Sequence, residues 1–414
     1  MGIISLFVNL VLAGVSLRGV PRVLAVVAAA LGWSIPIPHW TTGRLWLLRL
    51  GHAQLTANKT AAADWVWLID HSVQIGQEKF LAILGIRLAD LPPPGESLRY
   101  EDMALLALIP RKSWTRQEVD DALEATALQT CVPRAVVNDH GVDVSGGVQL
   151  FQGRHPETVE IYDAKHKAAC VLKRCLGNDP RWQAFQQQLA GTRCAIQQTE
   201  LAFLVPPSPK LKARFMNLES LLNWAAHVIA VLKQPPASVL KTVTPERLSD
   251  KLGWLTEYAT AIAEWSEWQT IINIVVKFVN CQGIYRGAVG ALRETLPSSY
   301  AYDSSRQLAE ELVAFVKAQT FLTRRGERLP GSTEILESSF GKFKQLEKQQ
   351  SRGGFTSLVL GFGAMLGNIS TTVIEQAMKR SHTKNVIEWC KEHLGVTLFA
   401  QRKAAFAASA TKGG

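Results

Sequence analysis

The sequence predicts an α/β protein in which a sheet-forming region is preceded by a small helical module and interrupted by a long all-helical stretch. Three observations point there. Short apolar runs bounded by turn residues recur between Asp64 and Tyr162, as buried strands do. From Leu211 to about Arg325 the apolar spacing is helical throughout. The first 55 residues carry apolar stretches with helix caps and a turn rich in proline.

The elements follow in order. Ile3 to Leu17 is apolar enough to resemble a signal peptide, but it lacks a basic start, contains Asn9 and reads as a buried helix. Ser16 is placed to cap a helix running to Leu31, with Gly32 as its stop. After Trp33-Ser34-Ile35-Pro36-Ile37-Pro38, Thr41 or Thr42 is expected to cap a second helix ending at Gly51. Basic and free of acids, residues 1–55 suit a helix-turn-helix-like DNA-binding module, with Arg44 and Arg49 as its DNA-binding residues; the alternative is a helical cap on the next domain.

Strands are expected at Asp64–Asp70, Lys79–Arg87 and roughly Ser97–Ile109, then a helix at Arg116–Thr130 with acids near its N-terminus. Arg134–Asn138 and Val159–Tyr162 complete the strands, and Lys165 to Leu189 is helical. Pro206-Pro207-Ser208-Pro209 marks a break before helices at Leu218–Leu232, Pro245–Ala263, Ser266–Val279 and Arg306–Thr323, whose tryptophans are expected in the core. A helix spans Glu334 to Gln350, two more reach about Leu394, and the tail from 397 to 414 is expected to be disordered.

Composition bounds the function. The 414 residues are 47% hydrophobic and 19% charged, with a net charge of +10 that favours a polyanionic partner. The first sixty residues hold five cations and no acid. No apolar run reaches the roughly 18 residues of a membrane span, so no membrane partner is expected. Six scattered cysteines lack a disulfide rhythm and suit a reducing compartment. Cys170, Cys175 and His166 suggest zinc only weakly, because no C-x-x-C pair accompanies them.

Three acids are the candidate chemistry. Asp70 ends the apolar run Trp65-Val66-Trp67-Leu68-Ile69, Asp139 ends Ala135-Val136-Val137-Asn138, and Glu337 sits on the late helix. Two strand-end carboxylates and one on a helix can share two hard cations, and two cations can run an in-line displacement at phosphorus. Glu334 competes with Glu337. Helix geometry gathers Ile335, Leu336, Phe340, Phe343 and Leu346 into one stripe, with Glu337 near its edge and Glu334 turned to water. His71 and His140 each follow a candidate ligand and should point away from it. His166 is expected as a hydrogen-bonded packing residue, and Asp143 as exposed and unpaired.

These residues resemble a known family. The segment from Asp64 to Gly76, the Asn138-Asp139-His140-Gly141 turn, and Ile335 to Lys344 look like the three catalytic blocks of DDE transposases from bacterial insertion sequences. Glu337, Phe340 and Lys344 match the E-x-x-F with a lysine seven residues after the Glu. Ser351-Arg352-Gly353-Gly354-Phe355 is similar to the Arg…Gly-Phe ending of related families. The strand and helix order is similar to that of the ribonuclease H fold, where strands one and four lie side by side.

The resemblance implies a ribonuclease H-like core at 60–200 and 329–396, interrupted by a helical insertion domain at 201–328. It implies two Mg2+ ions, replaceable by Mn2+, with Asp70 bridging them and Asp139 and Glu337 each holding one. Lys344 would contact a DNA phosphate. The partners implied are the transposon's terminal inverted repeats and target DNA, with a homodimer or higher oligomer on that DNA in the bacterial cytoplasm, at the nucleoid. The activity would be strand cleavage followed by strand transfer. Two alternatives remain: a catalytically silent transposase-derived DNA-binding protein, and a ribonuclease H-type nuclease without strand transfer.

Overall fold

A computed structural model describes residues 1–71, 78–207, 218–349, 356–396 and 398–410. The end of the first acidic block, the second half of the Pro206–Pro209 break and its sequel, the Ser351–Phe355 block and the last four residues lie outside the described residues. The chain forms two compact units, one built from Met1–Asp163 with Leu329–Gly414 and the other from Ala164–Arg328.

The first unit carries a five-stranded mixed sheet. Its strands are β1 (Trp65–His71), β2 (Lys79–Arg87), β3 (Ala104–Arg111), β4 (Ala135–Asn138) and β5 (Val159–Tyr162), ordered β3-β2-β1-β4-β5. β1, β2 and β3 pair antiparallel, while β4 joins β1 and β5 joins β4 in parallel. β1 has buried residues on both faces, which explains its unbroken apolar run. β3 begins later than the sequence predicts, at Ala104, and carries Pro110 on the sheet edge, where a missing N–H costs no inner ladder bond.

Side-chain alternation divides the sheet's neighbours. Trp65, Trp67 and Ile69 join Leu81, Ile83, Val119, Leu123, Val148 and Phe151 in one core, beneath α4 (Arg116–Thr130) and α5 (Val142–Arg154). A Thr115/Glu118 capping box starts α4. On the opposite face Phe80 packs with Phe340, Phe343 and Phe362 at ring separations of 5.6, 5.8 and 5.4 Å.

The N-terminal helices are α1 (Gly2–Leu12), α2 (Gly19–Leu31) and α3 (Trp40–Leu55). Gly32 stops α2 in the left-handed conformation, as the sequence predicts. His39, rather than Thr41 or Thr42, caps α3, which runs on through Gly51. A Cβ at Gly51 would stand 1.7 Å from the Leu360 carbonyl oxygen, so this glycine permits close approach of two backbones. With Leu47, Leu48 and Leu50 buried, α3 belongs to the first unit's core and forms no separate module.

Among its described residues the second unit is mainly helical, with α6 (Ala164–Gly177), α7 (Pro180–Ile196), α8 (Glu219–Lys233), α9 (Ala237–Leu240), α10 (Pro245–Leu252), α11 (Ala259–Gln282), α12 (Ala288–Thr295) and α13 (Asp303–Thr320). It starts at Ala164 rather than at residue 201, because α6 and α7 are bonded into it. Arg174 pairs with Glu311, Arg181 with Glu264 at 2.8 Å, and the Trp265 indole donates to Asp179 at 3.0 Å. Trp265 and Trp268 are core residues.

The chain then returns to the first unit through α14 (Glu334–Glu347), α15 (Thr371–Arg380), α16 (Thr383–His393) and α17 (Leu398–Ala410). α17 is helical where the sequence suggests disorder. The apolar segment Ser357–Met365 is a run of buried 3-10 turns. No helix among the described residues is long and apolar enough to cross a membrane. None of the six cysteines is in a disulfide.

Candidate active site

Asp70 and Asp139 owe their proximity to strand register. Leu68 of β1 pairs with Val137 of β4, and each aspartate follows two residues later. On β1 Asp70 shares its face with Leu68, toward the phenylalanine cluster that includes α14 residues Phe340 and Phe343. The five stripe residues of α14 are buried, Leu336 fully, while Glu334 and Glu337 are both half-buried. Glu334 is therefore less turned to water than helix geometry alone predicts.

The electrostatics of Asp70 tie the acids together. Burial pushes its carboxyl well above the ordinary value of 3.8, and the charges of Asp139, Glu337 and Asp163 add to that rise. A hydrogen bond accepted from the His71 N–H at 2.6 Å opposes it. Glu337 is among the charges that raise it.

Asp139 lies in a tied turn. Its carboxylate accepts from the Gly141 N–H at 2.8 Å, and buried Asn138 accepts from the His140 N–H at 2.7 Å. His140 holds φ +59°, a left-handed conformation that a residue with a Cβ adopts only under constraint. The constraint is visible: its ring stacks on Tyr162 at 4.0 Å, and Glu160 binds Asn138 at 2.8 Å and Ser145 at 2.9 Å.

Asp163 is the residue that sequence reasoning missed. Asn138 pairs with Tyr162, so Asp139 and Asp163 follow β4 and β5 at the same level. A shared strand-end position was the signal that could have found it. Asp163 is fully buried and accepts from both the N–H and the hydroxyl of Thr333, the residue before α14.

His71 lies on the face away from Asp70, as alternation predicts, 5.5 Å from the Trp114 ring. Burial lowers it to about 4, so it is neutral near pH 7. Asp143 is not unpaired: its carboxylate stands 3.4 Å from both Lys79 and His71. His166 lies in α6, in the second unit. Lys344 is half-buried, two turns beyond Glu337 on α14.

Arg44 and Arg49, expected to read DNA, each bond within the first unit. Arg49 donates to the Ser381 and Met378 carbonyls at 2.7 and 2.5 Å, capping the C-terminal end of α15. Arg44 donates to Ser357 at 2.9 Å, and burial lowers its pKa. Both residues are half-buried.

The donor set is all carboxylate, which suits Mg2+ or Mn2+ and not zinc. A divalent cation would also ease the mutual repulsion of the acids that raises the Asp70 pKa. Among the described residues, however, no group of three or more His, Cys, Asp or Glu side chains is already arranged to hold a metal ion. The residues fit a divalent cation in chemistry and charge.

No protein-family model matches the chain, and no curated protein matches it either.

Proposed function

We propose that this protein is a DNA transposase with a ribonuclease H-like catalytic core, which cleaves and joins DNA strands at transposon ends. The observation that carries this reading is the electrostatic convergence on Asp70 of Asp139 and Glu337, from a neighbouring parallel strand and from α14. The strand order, three antiparallel and then two parallel, supports the same core. In this reading the second unit is a helical insertion between β5 and the Glu337 helix.

Asp70, Asp139 and Glu337 would hold two Mg2+ ions. When bound, these supply Lewis-acid polarisation of the phosphate and of its attacking and leaving oxygens. The protein's own part is positioning. Asn138 and Glu160 hold the Asp139 turn, Asp163 holds the start of α14, and Lys344 offers a cation to a DNA phosphate.

Incubating the full chain and Mg2+ with DNA that carries its gene and flanks tests this reading. Nicking at the element's ends is expected, and none is expected in EDTA. The alternative offered by the sequence is a catalytically silent DNA-binding descendant. End-specific binding without nicking would favour it.

A further inference from the structure

Two cations from distant parts of the chain meet at the C-terminal end of α3. Lys59 donates to the Gln54 carbonyl at 2.7 Å. Arg380, the last residue of α15, donates to the Thr56 carbonyl at 2.9 Å and to Asn58 Oδ1 at 3.4 Å. Every one of these acceptors is neutral. Among the described residues neither cation forms an ion pair, and the acids nearest to them in sequence are engaged elsewhere. Asp64 pairs with Arg87, and Glu375 pairs with Lys379 at 2.8 Å. His52, in the last turn of α3, is bonded to the Ser381 hydroxyl at 3.0 Å.

A helix end carries about half a negative charge, so two full positive charges at this one are left largely uncompensated. The cost shows in Lys59: burial first, and then the charge of Arg380, lower its ammonium to about 8. Capping the helix end calls for one cation, and the second has no such role.

We infer that Lys59 and Arg380 together bind one phosphate of a DNA backbone. A guanidinium presents paired N–H donors to phosphate oxygens, and an ammonium adds a compact point charge. Arg380 is exposed and Lys59 half-buried, so the pair is open to a ligand from solvent. A bound phosphate would neutralise both charges and remove their mutual repulsion. The chain's net charge of +10 favours the approach of a polyanion. Free inorganic phosphate is the less favoured source, because a polymer adds neighbouring contacts and releases its own counterions. The inference rests on the proposed DNA substrate and is independent of the acid site.

Fluorescence anisotropy of the full chain with a labelled duplex of arbitrary sequence, across salt and pH, tests it. Lys59→Gln and Arg380→Gln should each flatten the salt dependence by roughly one unit, while Lys59→Arg and Arg380→Lys keep it. Wild-type affinity should fall about tenfold between about pH 7 and pH 9, as Lys59 loses its proton. Lys59→Arg, which stays charged, should abolish that fall. A helix-capping role would move neither the salt slope nor the pH profile. Unchanged slopes in both glutamine variants, or a pH-dependent fall that persists in Lys59→Arg, would overturn the site. Mg2+-dependent nicking in that case would leave the acid-site reading standing. A wild-type chain that binds no duplex would overturn the site and the proposed substrate together. Thermal stabilisation by millimolar inorganic phosphate, lost in Arg380→Gln with duplex binding unchanged, would also overturn it and assign the pair to free phosphate.

Discussion

Asp163 fastens Thr333: the buried carboxylate accepts the Thr333 N–H at 2.8 Å and its hydroxyl as well. Thr333 in turn accepts the Glu337 N–H at 3.1 Å, so the tie sets the first turn of α14 against the end of β5. Asp163→Ala should therefore cost about 1–3 kcal/mol in urea unfolding, the price of a buried unpaired donor. It should also raise the Mg2+ concentration needed for half-maximal cleavage. Thr333→Ser, which keeps both donors, should leave both quantities near wild type. Equal losses in the two variants would contradict the tie.

Asp70 predicts a pH effect of definite sign. Its folded pKa lies well above 3.8, so the folded chain binds that proton more tightly than the unfolded one. Stability due to the neutral carboxyl is present near pH 3.8 and is lost as pH rises through the folded value. Metal-free Asp70→Asn should thus melt higher than wild type at pH 7, by about 2–4 °C for each kcal/mol relieved. The difference should shrink toward pH 4. Thermal melts across pH check it, and a variant that melts lower at pH 7 would refute it.

Arg49 and Lys344 should separate structure from DNA contact. Arg49→Ala removes two charge-assisted bonds to the end of α15 and should cost about 1.5–3 kcal/mol of stability. Lys344→Ala should lower DNA affinity and flatten its dependence on salt by roughly one unit. Unfolding curves and salt-titrated gel shifts would show the two effects. The assignment reverses if Arg49→Ala alters the salt slope while leaving stability intact.

Legibility in the sequence followed distance along the chain. Lys79–Arg87, Arg116–Thr130 and Val159–Tyr162 stand in the structure with the predicted bounds, because local turn residues and caps punctuate them. The apolar stripe of α14 was equally readable, since it depends only on helical spacing. Arg49 was not, because its acceptors lie more than 300 residues away and leave no local mark. The start of the second unit at Ala164 was hidden for the same reason: Arg174 and Asp179 declare their allegiance only through Glu311 and Trp265. Strand register, which places Asp163 level with Asp139, is a property of the folded sheet.

Asp70, Asp139 and Glu337 are proposed to act as one metal-dependent site on DNA. The most direct test is a Mg2+-dependent strand-transfer assay with end-bearing DNA, comparing wild type with Asp70→Asn, Asp139→Asn, Glu337→Gln and Glu334→Gln. Each of the first three should lose product by several orders of magnitude while still binding the ends, and Glu334→Gln should remain active. Transfer by Asp139→Asn at near wild-type rate, or loss in Glu334→Gln with retention in Glu337→Gln, would contradict the account.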